Sequence, residues 1–276
     1  MAEGNGDSAG GTGQPRVERY PLRNADAMEA ARLGHLEALS DPFTIRWLED
    51  LGVGQGWHCA ELGAGKGSMV RHLSAVVGAG GSVTAVDRDT TQLEPLRRLG
   101  NVTVVEADLC SLVLPRSDYH LVHTRSVLMH LDAPEAAVRS AVAALRPGGV
   151  VFFEETDGSP AETVTDAPEP FRKVMVPITR RWTFAPRMTP LLETLGLTVV
   201  RNEVRPDVLT GATPRAAFWQ HTLRSVAELR RAASADPSTV PDEEWIEQMI
   251  VLLDDPGFSV PYTIRHRVVA QRSAAA

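Results

Sequence analysis

Cys59-Ala60-Glu61-Leu62-Gly63-Ala64-Gly65-Lys66-Gly67-Ser68 is a short β-prone run that ends in an acid and passes into three glycines at alternate positions. Glycine lets the chain turn sharply from strand to helix and lets backbone approach a ligand that a Cβ would exclude. The stretch therefore reads as a cofactor loop. A phosphate-cradling G-x-x-x-x-G-K-[ST] loop would need Ser or Thr after Lys66 and glycine at position 60, where the chain has Gly67 and Ala60. A dinucleotide G-x-G-x-x-G loop would need its third glycine at 68, where Ser68 stands; the third glycine comes one residue early.

Working outward, Gly81-Ser82-Val83-Thr84-Ala85-Val86-Asp87 reads as a second strand ending in an acid. Asn101-Val102-Thr103-Val104-Val105-Glu106-Ala107-Asp108-Leu109 reads as a third, and Asp118 to His123 as a fourth. Ala144-Leu145-Arg146-Pro147-Gly148-Gly149 turns into a fifth through Val150 to Phe153. Helical segments fall near 67–77, 91–98 and 133–145, with strands near 58–62, 82–87, 102–106, 119–123 and 149–154. This alternation argues for a parallel sheet covered on both faces, because parallel neighbours need crossover connections.

Before the sheet, apolar residues recur at helical spacing from Asn24 to Leu51, and Asp41-Pro42 divides them into two expected helices. After Glu155 the rhythm changes. Residues 156–170 read as a loop, Thr189 to Leu195 as a helix leading into a strand at 197–201, then helices near 214–234 and 241–253, and a last strand from Tyr262 to Gln271.

Four ordered motifs, opening with Glu-x-Gly-x-Gly-x-Gly, resemble the class I S-adenosylmethionine-dependent methyltransferases. Tyr20-Pro21-Leu22-Arg23-Asn24, Asp41-Pro42-Phe43-Thr44 and the run His123 to Leu131 are similar to a subgroup of bacterial, actinomycete-type small-molecule enzymes. The resemblance implies an α/β, Rossmann-like class I methyltransferase fold: a seven-stranded, mostly parallel sheet whose last two strands form an antiparallel hairpin, with N-terminal helices and a helical cap. Residues 1–16 are expected as a disordered tail and 17–276 as one domain. Within it lie N-terminal helices at 17–56, a cofactor core at 57–155, and cap segments at 156–190 and 205–258.

The resemblance also implies the cofactor, S-adenosyl-L-methionine, and its site. Gly63, Ala64, Gly65, Gly67 and Ser68 form the loop, and Glu61 orders the loop or the cofactor's amino end. Asp87, followed by Arg88, takes the ribose hydroxyls; Asp108, followed by Leu109, takes the adenine. His123 and Thr124 close the pocket at the fourth strand, and Tyr20 is a lid. Candidate bases for an acceptor that must lose a proton are His130, His123, His221 and Glu155. No metal site is expected.

Formal charge −7 and pI near 5.6 give no footprint for a polyanion, so nucleic acid is a poor substrate. An aromatic, Pro-rich cap suits a small apolar or aromatic acceptor. The expected chemistry is methyl transfer, to oxygen first and then nitrogen or carbon, in specialised metabolism. The alternatives are a cyclase or rearrangement that keeps the methyl, and a non-catalytic binding protein. Met1 to Gln14 lack a basic and an apolar region, so neither signal peptide nor anchor is expected, and the protein reads as cytoplasmic, with homo-oligomerisation open. Cys59 and Cys110 are expected as buried thiols.

Overall fold

The structure is a computed structural model, and it describes residues 27–231 and 241–274. Tyr20, the tail at 1–16 and the end of the expected 214–234 helix lie outside these. The strands are β1 (His58–Leu62), β2 (Ser82–Asp87), β3 (Val102–Glu106), β4 (Tyr119–Arg125), β5 (Leu145–Asp157), β6 (Leu197–Thr210) and β7 (Ser259–Arg272). They form one sheet in the order β3-β2-β1-β4-β5-β7-β6, parallel through β5, with β7 antiparallel to both neighbours. The class I methyltransferase fold is thus present, hairpin included.

The helices are α1 (Ala27–Asp50), α2 (Ser68–Val77), α3 (Pro134–Ala143), α4 (Glu169–Thr179), α5 (Met188–Thr194), α6 (Pro214–Arg231) and α7 (Glu243–Leu252). Alternate strand residues face opposite sides, so one face packs Leu62, Val86, Val122 and Phe153 with side chains of α3 and α5. The other packs Cys59, Val83, Leu121 and Phe152 against Trp47 and Leu48 of α1 and Met69, Val70 and Leu73 of α2. A third core joins Phe171 and Met175 of α4, Trp219 and Leu223 of α6 and Ile246 and Met249 of α7 to the hairpin tip at Leu209, Val260 and Tyr262. That is the cap.

Several boundaries differ from the expected ones. The two helices before the sheet are one. Pro42 takes a donor from the α1 ladder, but residues on both sides of it are tied down. Asp41 Oδ1 accepts from Arg125 Nη2 at 2.7 Å, and Thr44 Oγ1 donates to Glu154 Oε1 at 2.5 Å. The helix expected near 91–98 is a 3-10 turn containing Pro95. β5 runs to Asp157, which places Glu155 inside a strand, and β6 continues to Thr210, so residues 205–210 belong to the hairpin. Phe184, Ala185 and Met188, expected in the cap, pack on the sheet. Cys59 is buried, whereas Cys110 is only half-buried.

Candidate active site

The loop leaves β1 at the carboxyl end of the sheet, where ligands sit in open α/β sheets. Gly63, Gly65 and Gly67 all adopt positive φ, at 70°, 54° and 83°. A Cβ on Gly63 would drive into the Val127 side chain, and one on Gly67 into Leu96, whereas above Gly65 the nearest atoms are Leu33 of α1 at 3.9 Å. The loop therefore offers bare backbone to a space bounded by α1. Gly63 and Ala64 donate their N–H groups to Val86 O at 2.8 and 3.0 Å. Asp87 Oδ2 accepts the Gly65 N–H at 2.7 Å and Oδ1 the Asp89 N–H at 3.1 Å. Burial raises the Asp87 pKa, opposed by the backbone N–H groups of Gly65, Asp89 and Arg88.

Gly67 begins α2 without a side chain to cap it, and α1 supplies the missing acceptors. Glu37 Oε1 accepts the Ser68 N–H and Asp41 Oδ1 accepts the Ser68 hydroxyl, each at 3.1 Å. A helix N-terminus ordinarily attracts anions; here Glu37 already occupies it, and a pyrophosphate would meet a carboxylate. Asp108 lies at the turn after β3 with its carboxylate exposed, Oδ1 accepting from Cys110 N at 2.8 Å. Leu109 is buried and Arg88 exposed. Thr124 Oγ1 is buried without a hydrogen-bond partner at the end of β4. Bare loop backbone, the Asp87 carboxylate and a helix start that rejects phosphate fit S-adenosylmethionine better than a nucleotide polyphosphate.

His123 is fully buried between two carboxylates. Its Nδ1 lies 2.6 Å from Glu61 Oε2 and its Nε2 3.4 Å from Glu154 Oε1. Burial pulls its pKa down, but Glu61 and Glu154 outweigh that and push it up to about 9. As an imidazolium it has no lone pair with which to take a proton. Glu154 also accepts from Arg267 Nε at 2.7 Å, and Arg267 Nη1 reaches Glu203 at 2.6 Å.

Glu155 faces the other side of the sheet. Its Oε1 accepts from Val127 N and Leu128 N at 2.9 and 2.8 Å, and its Oε2 from Met129 N at 3.4 Å. Burial raises its pKa to about 7 against these three donors. Its geometry is that of a brace for the turn at Leu128–His130, on which His130 rides. Burial and the Arg32 charge hold His130 down to about 3, so its imidazole is neutral. His221, on α6, stacks on His35 of α1 at 4.7 Å; burial and His35 lower its pKa.

His130, expected as a candidate base, and the cap aromatics, expected apart from it, are in contact. His130 meets Trp182 edge-on at 5.9 Å, Trp182 stacks on Trp219 at 6.1 Å, and Phe218 meets Trp219 at 5.6 Å. Arg32 lies 5.5 Å over Phe218 and pairs in bidentate fashion with Glu29, at 2.7 and 2.6 Å. Reading missed Glu37, Asp41, Arg125, Glu154 and Arg267 as site builders. One signal was present: adjacent strand residues face opposite sides, so Glu154 beside Glu155 had to serve a different neighbour. Among the described residues no group of three or more His, Cys, Asp or Glu could hold a metal, and no helix is long and apolar enough to cross a membrane.

The family described as "Methyltransferase domain" matches residues 60–153, the segment from β1 to β5. The ubiquinone/menaquinone biosynthesis C-methyltransferase UbiE of Pseudomonas paraeruginosa (strain DSM 24068 / PA7) is 26% identical over 160 residues, 55% of this chain and 61% of that protein. The chain spans between 47% and 61% of the length of three such curated relatives. Among solved structures, the [4+2]-cyclase SpnF superposes with TM-score 0.58 at 16% identity, covering 85% of this chain and 81% of that one. The mycolic acid cyclopropane synthase CmaA1, complexed with SAH, does so with TM-score 0.52 at 14% identity, covering 83% and 84%. Motif, matched segment and strand order agree: residues 60–153 match a methyltransferase domain, set in the class I S-adenosylmethionine-dependent methyltransferase fold, with S-adenosylmethionine as the cofactor.

Proposed function

We propose that the chain transfers the methyl group of S-adenosylmethionine to a small aromatic acceptor, a phenol or quinol ring seated against the half-buried Trp182, which Trp219 backs from the core. The observation that carries this is the aromatic row from His130 through Trp182 to Trp219, which leads from the segment after β4 into the cap. Flat π surfaces 6 Å apart favour a planar, weakly charged ligand. The curated relative named for C-methylation in quinone biosynthesis supports a ring acceptor. Oxygen of such a ring is the first acceptor atom, nitrogen and carbon the alternatives; specialised metabolism and a cytoplasmic setting complete the reading.

The bound cofactor supplies an activated electrophilic methyl, so the chain's main task is to hold the acceptor in line with it. Asp87 and the glycine loop bind and orient the cofactor. Glu155 fixes the backbone that carries His130. Neutral and weakly basic, His130 accepts a hydrogen bond from an acceptor hydroxyl and aims the oxygen lone pair at the methyl; as the O–CH3 bond forms and the S–CH3 bond breaks, the hydroxyl proton passes to solvent. His123 and Glu155 have their polar atoms engaged elsewhere.

Incubation with S-adenosylmethionine and a panel of phenols, quinols and amines tests this: S-adenosylhomocysteine should appear together with a product heavier by one methylene unit. An altered acceptor skeleton without S-adenosylhomocysteine would favour the cyclase reading. No product of either kind would leave a binding protein.

A further inference from the structure

Glu61 and His123 are register partners on adjacent strands β1 and β4, so the sheet itself fixes their approach. The His123 ring is also held at 5.0 Å by Phe152, which stacks on Trp47 of α1 at 5.3 Å. Behind the imidazolium, Glu154 is anchored by Thr44 of α1 and Arg267 of β7. Among the described residues only His123 hydrogen-bonds the Glu61 carboxylate, through Oε2, which leaves Oε1 for a ligand donor at the strand end that opens the glycine loop. Burying an imidazolium between carboxylates is a poor route to stability, since desolvation offsets most of the attraction. It does fix a carboxylate in one orientation.

We infer that His123 is a positioning residue, holding Glu61 so that its free oxygen meets the ammonium of the cofactor's amino-acid end. The inference rests on the cofactor assignment and on the amino-end role that the resemblance implies for Glu61; what it adds is His123 as the group that orients that carboxylate.

Two ligands isolate the amino-acid tail. S-adenosylhomocysteine carries the tail, and methylthioadenosine lacks it. Calorimetry on the full chain should show His123→Gln binding S-adenosylhomocysteine about 10-fold or more weakly, the worth of a hydrogen bond to a charged group, with methylthioadenosine affinity unchanged. Glu61→Gln should show the same selective loss, and the double variant little more. Equal losses for both ligands, or none, overturn the inference. If His123→Gln does not fold, Glu154→Gln decides, with the same selectivity expected and an unselective effect overturning. Failure of the wild type to bind either ligand would instead overturn the cofactor assignment.

Discussion

Asp87 accepts the Gly65 N–H at 2.7 Å, so the acid that ends β2 holds the middle of the glycine loop. One side chain thus shapes the loop from the strand end where the resemblance implies a ribose ligand. Asp87→Ala should weaken S-adenosylhomocysteine binding by about 1.5–3 kcal/mol while the protein stays folded. Unchanged affinity by calorimetry would remove Asp87 from the site.

Gly63 has φ of 70° and no room for a Cβ beside Val127. Gly63→Ala should cost about 1–3 kcal/mol in urea unfolding, combining left-handed strain with overpacking. Adding Val127→Ala should recover the steric part alone. Full recovery would mean that the positive φ carries no cost.

His123 makes stability depend on pH in a defined direction. Its pKa is about 9 folded against 6.5 for an ordinary histidine, so its contribution is complete below about pH 6.5 and lost as pH rises through 9. Glu154 acts on the acid side: burial raises its pKa, but His123, Arg125 and Thr44 lower it to about 2, so its contribution is present above 4.5 and lost toward 2. Cys59, pushed up to about 12 by burial and Glu61, stays neutral in this window. Urea midpoints should fall between pH 6.5 and 9 in the wild type and stay flatter in His123→Gln. Parallel curves would refute the charged state of His123.

His130, neutral throughout the physiological range, should contribute no limb to the pH profile of kcat between pH 5 and 8. His130→Phe should lower kcat about 10²-fold on a hydroxyl acceptor through lost alignment, with cofactor affinity intact. Trp182→Ala should chiefly raise the acceptor KM. Near-native turnover in His130→Phe would leave alignment to the aromatic row alone.

Much of this site was legible because its constraints are local. Three glycines at alternate positions are needed for three positive φ angles, and β1, β2 and β3 end where expected because buried parallel strands run apolar until a polar terminus. β6 runs past the expected 197–201 through Arg205, Pro206 and Asp207, residue types common in loops. At a sheet edge, however, Pro206 need not donate, and β7 supplies the pairing. Pro42 suggested a helix break that tertiary ties to Arg125 and Glu154 prevent. The ion network was not legible: Glu61 meets His123 across 62 positions and Arg267 meets Glu154 across 113, and nothing local announces such pairs.

The glycine loop and the strand ends around it form a site for S-adenosylmethionine. Thermal unfolding of the full chain with S-adenosylhomocysteine, S-adenosylmethionine, NADH and ATP tests it most directly. A ligand bound only by the native state adds about 2.7 kcal/mol at 100 times its Kd, which is about 5–10 °C for a chain of this size. That shift is expected with the two sulfur compounds and none with the two phosphates. A clear shift with NADH or ATP, and none with S-adenosylhomocysteine or S-adenosylmethionine, would contradict it.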